Sequence, residues 1–142
     1  MNQSPRAVQL NRTMLWAVPL LAIAFLVLNK PASGPYNIEE VTVAEAKSLV
    51  DSGALVVDVR PQEAFEARHL PGALSIPLSQ LRAGVPASLA DAKEQSIVVY
   101  CGDGSTIGPE GTQVLNDAGY KNAVNIRSGI EGWQNAGHPV KP

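Results

Sequence analysis

The sequence predicts an α/β domain built on a parallel sheet with helices on both faces. Two observations support this prediction. Short apolar runs rich in β-branched residues alternate along the chain with helical stretches, and these apolar runs are continuous rather than interrupted at every second position. Continuous apolar strands are typical of parallel sheets that are covered on both sides. We therefore expect a central parallel sheet of about five strands.

The predicted elements follow one another from residue 42 onward. Thr42 and Glu45 have the spacing of a capping box that begins a helix running to about Val50, and Ser52-Gly53 ends it. Prolines suited to a first helical turn and glycines that end helices mark the later elements. The predicted strands are residues 54–59, 73–77, 96–100 and 123–126, and the later helices are 61–69, 109–118 and 131–137.

Residues 1–30 depart from this pattern and are predicted to be a signal anchor or a signal peptide. Arg6 and Arg12 precede an uncharged apolar run, Met14 to Leu28. As a helix this run spans roughly 22 Å, so contact with the membrane through residues 13–30 needs the polar flanks and a snorkelling Lys30. Because the chain after the run lacks a good cleavage site, a retained hydrophobic helix is favoured over cleavage and secretion. The preceding positive charges place the domain outside the cytoplasm, on the periplasmic side in a bacterium.

A linker at residues 31–36 leads into the predicted domain, residues 37–142. This domain carries eight basic and thirteen acidic residues, a net charge of −5. Such a charge argues against binding to nucleic acid, whose phosphates it would repel. The chain has one cysteine and two histidines far apart in sequence, so we expect neither an internal disulfide nor a metal site.

The single cysteine, Cys101, follows the strand predicted at residues 96–100. Ligands of open parallel sheets bind beyond the carboxyl ends of the strands, which is where this residue falls. Glycines at 102, 104 and 108 allow backbone N–H groups to converge on a small anion, and the helix that follows adds the positive end of its dipole. This setting favours the thiolate, so Cys101 is a candidate nucleophile. A buried structural cysteine is the alternative.

Several segments together resemble the single-domain form of the rhodanese, or sulfurtransferase, family. They are VVDVR at 56–60, AFEARHLPGALSIPL at 64–78, Cys101 with its glycine-rich loop, and IRSGIEGW at 126–133. The resemblance covers about residues 37–139. It implies a rhodanese-like α/β fold for the domain, preceded here by one hydrophobic N-terminal helix.

The resemblance also implies a function, sulfur transfer through a persulfide on Cys101. A small donor such as thiosulfate, a polysulfide or a persulfide would supply the sulfur, and a thiol or other nucleophile would accept it, without a cofactor. A protein partner in a sulfur relay is a further expectation. The residues expected to bind the substrate are those of the loop and one arginine beyond the next strand: Gly102, Asp103, Gly104, Ser105, Thr106 and Arg127.

Two loop residues depart from the pattern of the family. Thr106 stands where many members have an arginine, and Asp103 adds a negative charge that disfavours both the thiolate and an anionic donor. Arg127 is a candidate to offset part of that charge, although a solvated surface arginine is the favoured interpretation. Phosphatase and arsenate reductase activities are disfavoured, because no arginine that could grip an oxyanion lies between Cys101 and Arg127. The main alternative is a noncatalytic rhodanese-like binding module at the membrane surface.

The other marked residues are expected to have structural roles. Asp58 and Arg60 are predicted to form a buried ion pair or a brace for a loop. His69 precedes a Pro-Gly turn and is predicted to be a hydrogen-bonded turn residue, with an approach to the active loop as the alternative. Trp133 is expected to anchor the last helix in the core.

Overall fold

A computed structural model describes residues 34–142 of the chain, which form a five-stranded sheet and helices. The strands are β1 (Glu39–Val41), β2 (Leu55–Asp58), β3 (Leu74–Ser75), β4 (Ile97–Tyr100) and β5 (Ala123–Ile126). The α-helices are α1 (Val43–Asp51), α2 (Gln62–Ala67), α3 (Leu78–Ala83), α4 (Ile107–Asp117) and α5 (Gly129–Asn135), and Ala87–Leu89 forms one turn of 3₁₀ helix.

The sheet is parallel, with the strand order β1-β5-β4-β2-β3. The central strand β4 pairs with β2 on one side, where Asp58 is opposite Tyr100, and with β5 on the other, where Val99 is opposite Asn125. Because the strands are parallel, their carboxyl ends meet at one edge of the sheet. This edge brings together the residues that follow β2, β4 and β5.

Two apolar cores lie on opposite faces of the sheet, as the sequence predicts. Successive residues of β4 alternate between them, because side chains of a strand point to alternate faces. Val99 and Cys101 belong to one core, with Leu81 of α3 and Leu115 of α4. The other core contains Tyr100 and, from the helices on that face, Ala46, Ile130 and Trp133.

The predicted starts and ends of the elements agree with the structure in most places. The capping box is present: the Thr42 hydroxyl accepts a hydrogen bond from the Glu45 amide, and the Glu45 carboxylate accepts one from the Thr42 amide. Helix α4 begins at Ile107, two residues before the predicted start at Pro109. Pro109 is tolerated there because the first amides of a helix have no intrahelical partner.

Three short elements were not predicted: β1, α3 and the 3₁₀ turn. Strand β1 contains only Glu39, Glu40 and Val41. Two of its three residues are glutamates, which are uncommon in strands, so the sequence gives no strand pattern there. Helix α3 places Leu78 and Leu81 in the core, one turn apart, but six residues are too few for a clear helical period. Strand β3 is shorter than the predicted 73–77, with two residues.

The predicted anchor, residues 13–30, lies outside the described part of the chain. Within residues 34–142, no helix has the length and apolar character needed to cross a membrane. The boundaries predicted for the anchor and the linker stay predictions.

Candidate active site

Cys101 lies directly beyond the carboxyl end of β4, and the chain turns through residues 102–106 before α4 begins. Its thiol is free and only 1% of the residue is exposed. The first turn of α5 holds the start of the loop, because the Ile130 amide donates to the Cys101 carbonyl (2.9 Å) and the Glu131 amide donates to the Gly102 carbonyl (3.1 Å). The segment 126–133 therefore borders the loop of the cysteine.

Gly104 makes the one hydrogen bond that the structure shows between a loop amide and the thiol sulfur. Its N–H donates to Cys101 Sγ over 3.2 Å. The residue has a φ of +83°, and a Cβ there would lie 2.6 Å from the Ile126 carbonyl oxygen and against the carbonyl of Arg127. Both the backbone conformation and the close approach of β5 therefore require glycine at this position.

Asp103 and Ser105 bond to each other, and Asp103 also accepts a long hydrogen bond from the Cys101 thiol. The Ser105 amide and hydroxyl each donate to the Asp103 carboxylate, both over 2.9 Å. These two bonds, the amide first, lower the pKa of Asp103, so its carboxylate is charged at neutral pH. Asp103 Oδ1 lies 4.0 Å from Cys101 Sγ. The loop thus keeps a negative charge beside the thiol, and the Ser105 amide, predicted to face the substrate, is already engaged.

Arg127 contacts the loop through its backbone. Its carbonyl packs against Gly104, and its amide donates to the Val41 carbonyl over 3.0 Å. The side chain is 60% exposed, and its Nε lies 3.8 Å from the carboxylate of Glu40. The structure therefore places Arg127 at the same sheet edge as Cys101 but pairs its guanidinium with β1. Its predicted role toward a sulfur donor stays a prediction.

Asn125, which lies beside the thiol, was not marked from the sequence, and Gly108 was marked only as one of the loop glycines. Asn125 is fully buried, and its Nδ2 donates to the Gly104 carbonyl over 3.1 Å. A Cβ on Gly108 would lie 3.0 Å from Cys101 Sγ and 2.5 Å from Asn125 Oδ1. The available signal was one polar residue in the otherwise apolar strand AVNI. Polar residues in buried strands call for a specific partner.

Asp58 and Arg60 form a buried ion pair at the same sheet edge, on the face opposite the thiol. Arg60 Nε donates to Asp58 Oδ1 (2.9 Å), Arg60 Nη2 donates to Oδ2 (2.7 Å), and Nη2 also donates to the Arg68 carbonyl (2.6 Å). Burial lowers the pKa of Arg60, but the hydrogen bonds and charge of Asp58 outweigh it and raise this pKa. Burial and the charge of Asp58 raise the pKa of Tyr100, whose hydroxyl accepts from the Leu70 amide.

His69 is held by contacts away from the thiol. Its ring stacks on Phe65 with centroids 4.0 Å apart, and Nδ1 lies 3.0 Å from the Phe65 carbonyl oxygen. Its backbone pairs with Lys141 near the C-terminus. Trp133 is 2% exposed and donates to the Pro139 carbonyl. The described residues also contain no cluster of three or more His, Cys, Asp or Glu side chains that could hold a metal ion.

The arrangement suits a nucleophilic thiol more than acid–base chemistry. A backbone N–H donates to the sulfur, and the N-terminus of α4 follows the loop, so the developing negative charge has a donor and a favourable dipole. No described contact links the thiol to a histidine that could act as a base.

Comparison with known proteins gives a consistent result. The family model described as the rhodanese-like domain matches residues 42–136. The adenylyltransferase and sulfurtransferase MOCS3-2 of Zea mays is 34% identical over 72% of this chain. The HTH-type transcriptional regulator Rv0324 of Mycobacterium tuberculosis is 33% identical, also over 72% of this chain. The aligned regions span only 22% and 44% of those two proteins, respectively.

Solved structures include a match of similar size. The human single-domain sulfurtransferase TSTD1 is 30% identical, with a TM-score of 0.58. The match covers 68% of this chain and 95% of the human chain.

Proposed function

The chain belongs to the rhodanese-like domain family, and from this premise we propose that it is a sulfurtransferase that carries sulfane sulfur as a persulfide on Cys101. The observation that carries the proposal is the hydrogen bond from the Gly104 amide to Cys101 Sγ at the carboxyl edge of the sheet. A donor in this position stabilises negative charge on Sγ of the thiolate, which attacks the sulfur donor in the first step and is released in the second.

The reaction has two displacement steps. The Cys101 thiolate attacks the sulfane sulfur of a donor, a new S–S bond forms on Sγ, and the donor leaves with the electron pair of its broken bond. Thiosulfate would leave as sulfite. A thiolate acceptor then attacks the outer sulfur and releases the Cys101 thiolate. Each step exchanges one bond to the transferred sulfur for another, so no cofactor is needed.

The charge at the loop favours some donors over others. Asp103 holds an ionised carboxylate 4.0 Å from the thiol, and Thr106 supplies no positive charge. A doubly charged anion such as thiosulfate would meet repulsion there. An uncharged organic polysulfide and a persulfide, on a small molecule or on a partner protein, carry less negative charge than thiosulfate and are therefore the favoured donors. The proposed role of Arg127 is to attract the negative charge that a sulfur donor carries.

A protein partner in a sulfur relay fits this preference. The maize relative is named for two activities, adenylyl transfer and sulfur transfer, which occur in one polypeptide. The present chain aligns with only 22% of that polypeptide. A separate partner protein would then supply or receive the sulfur here.

The second candidate function is that of a noncatalytic binding module. The observation that favours it is the burial of Cys101, 1% exposed, behind a loop that carries its own anion. The Mycobacterium relative is named as a transcriptional regulator, so a domain of this family also occurs in a protein named for regulation. In this role the loop would present a surface to a partner rather than accept sulfur.

Intact-mass spectrometry of the purified full-length chain tests the proposal. The chain is exposed separately to thiosulfate, a polysulfide and a low-molecular-weight persulfide, and then to a thiol acceptor. We expect the polysulfide or persulfide to add one sulfur atom, the acceptor to remove it, and Cys101→Ser to abolish the gain while keeping the thermal melting of the wild type. A wild-type chain that gains no sulfur from any of the three donors is the result expected of a binding module. A gain retained in Cys101→Ser would place the chemistry elsewhere.

A further inference from the structure

Asn125 lies at the centre of the site on a strand that otherwise carries apolar side chains. It is fully buried on β5. Ala123, two residues earlier, packs in the core that contains Cys101, so the alternation of the strand puts Asn125 on the same face as the thiol. A buried polar side chain in a parallel strand costs stability unless it is hydrogen-bonded. Its partners therefore indicate why it is there.

The amide nitrogen of Asn125 joins two acceptors on different segments. Nδ2 donates to the Gly104 carbonyl (3.1 Å) and to Glu40 Oε1 of β1 (3.2 Å). Because both partners only accept hydrogen bonds, they determine which end of the amide is nitrogen. Glu40, whose side chain is 7% exposed, is held in turn by Arg127 at 3.8 Å.

Gly104 is the residue that connects Asn125 to the thiol. Its carbonyl accepts from Asn125 and its amide donates to Cys101 Sγ. A glycine has a wide range of accessible backbone angles, so its peptide groups need contacts on both sides to keep one orientation. Asn125 supplies such a contact from β5, which is part of the rigid sheet.

The oxygen of the same side chain has no hydrogen-bond partner among residues 34–142. Asn125 Oδ1 and Cys101 Sγ lie 2.5 Å and 3.0 Å from the point that a Cβ on Gly108 would occupy. A buried carbonyl oxygen without a donor is unfavourable. The oxygen therefore adds no stability, and the contribution of Asn125 comes from its nitrogen. Of the contacts of this nitrogen, the one with the Gly104 carbonyl leads to the thiol.

We propose that Asn125 is a positioning residue for sulfur transfer: its Nδ2, braced by Glu40, fixes Gly104 so that the Gly104 N–H points at the sulfur of Cys101. Asn125 does not touch the substrate in this arrangement and acts through Gly104. The inference rests on the proposed function, since a thiol that accepts no sulfur does not need a positioned hydrogen-bond donor. Its geometry and its test concern the reactivity of the thiol alone.

The test compares Asn125→Leu with Asn122→Leu. Asn122 makes a hydrogen bond of the same kind and length, from Nδ2 to the Glu94 carbonyl over 3.1 Å, just before β5 begins and away from the loop. The rate of alkylation of Cys101 by a neutral reagent is measured against pH in each full-length variant, together with the thermal melting. Cys101 is the only cysteine, so the reagent reports on one thiol.

We expect Asn125→Leu to slow alkylation at neutral pH by about tenfold, the size expected for loss of one hydrogen bond to a charged group. The midpoint of the pH profile should move to higher pH, while the limiting rate at alkaline pH stays within about twofold of that of the wild type. Asn122→Leu should leave the midpoint in place. A midpoint that stays in place in Asn125→Leu, with only the melting temperature lowered, would show a purely structural role and overturn the proposal.

A measurement on the wild type covers the case in which Asn125→Leu does not fold. In an NMR titration of the full-length chain, the amide resonance of Gly104 should shift with the same midpoint as the alkylation profile, and the Asn125 side-chain amide should follow it. Resonances that ignore the titration of the thiol would overturn the proposal. None of these measurements requires sulfur loading, so a chain that behaves as expected here but never gains sulfur contradicts only the proposed function.

Discussion

Gly108 has little free space on the side that faces the thiol, although its backbone is ordinary helix. It is the second residue of α4, and a methyl group on it would crowd two buried atoms, Cys101 Sγ at 3.0 Å and Asn125 Oδ1 at 2.5 Å. Neither atom is at the end of a long flexible side chain. Because Gly108 has no side chain, the space beside Cys101 Sγ on this side stays open.

Substitution of Gly108 tests whether this room matters for chemistry. Alanine is about 1 kcal/mol better than glycine in a helix, which partly offsets the steric cost on stability. We expect Gly108→Ala to slow sulfur loading of Cys101 by about 10- to 100-fold, since a small displacement of a reacting group has effects of this size. The measurement is the rate of mass gain with a polysulfide.

Gly111→Ala is the matched control. It lies one turn further along α4, where a Cβ would crowd the side chain of Val59 at 2.9 Å instead of the thiol. Both variants should lose a similar amount of stability, but only Gly108→Ala should load slowly. Equal loading rates in the two variants would mean that the space at Gly108 serves packing alone.

At the scale of the elements, a buried ion pair lies at the end of β2, and its guanidinium contacts the last residue of β4. Arg60 and Asp58 are joined by three side-chain hydrogen bonds, and the guanidinium lies 5.5 Å from the centre of the Tyr100 ring. The chain that follows β2 is thereby held at the carboxyl edge of the sheet, on the face opposite the one that Cys101 packs against. The ion pair therefore stabilises this edge of the sheet, and no described hydrogen bond links it to the thiol.

Removal of one partner should cost much more than removal of a surface pair. Asp58→Asn leaves the buried Arg60 without its counter-charge, for which we expect a loss of about 3–5 kcal/mol in the free energy of unfolding. Lys47→Gln breaks the exposed pair with Asp51 in α1 and should cost about 0.5 kcal/mol or less. Urea denaturation of both full-length variants checks the difference. Similar small losses would show that the Arg60 charge is compensated by other groups.

At the scale of the whole molecule, the charge pattern of the N-terminal residues predicts where the domain is located. Arg6 and Arg12 precede the apolar run, and the domain beyond residue 36 carries a net charge of −5. If residues 13–30 form an anchor, the positive-inside rule predicts that the N-terminus is in the cytoplasm and the domain is on the opposite side of the membrane. Contact through residues 13–30 is part of this prediction.

Protease accessibility checks the predicted location. In bacterial spheroplasts that express the full-length chain, added protease should digest the domain while the cells stay intact. A cytoplasmic marker protein in the same sample should survive. Protection of the domain until lysis would reverse the predicted topology, and recovery of a shortened chain in the medium or periplasm would indicate a cleaved signal peptide.

The sequence alone determined the elements with strong local signals. The capping box at Thr42, the continuous apolar strands and the turn residues gave most of the sheet and its parallel character, because each signal acts over a few neighbouring residues. The same locality explains the misses. Strand β1 is three residues long with two glutamates, and it becomes a strand by pairing with β5, more than eighty residues away.

The candidate site divides in the same way. The sequence alone marked Cys101 and the loop glycines, since a single cysteine between an apolar strand and a glycine-rich turn is a local pattern that the sequence shows directly. Only the tertiary structure showed that Asn125 holds Gly104, that Glu40 braces Asn125, and that Ser105 turns to Asp103. The Asn125 contacts join segments 21 and 85 residues apart, and the order of the parallel strands decides which of them meet.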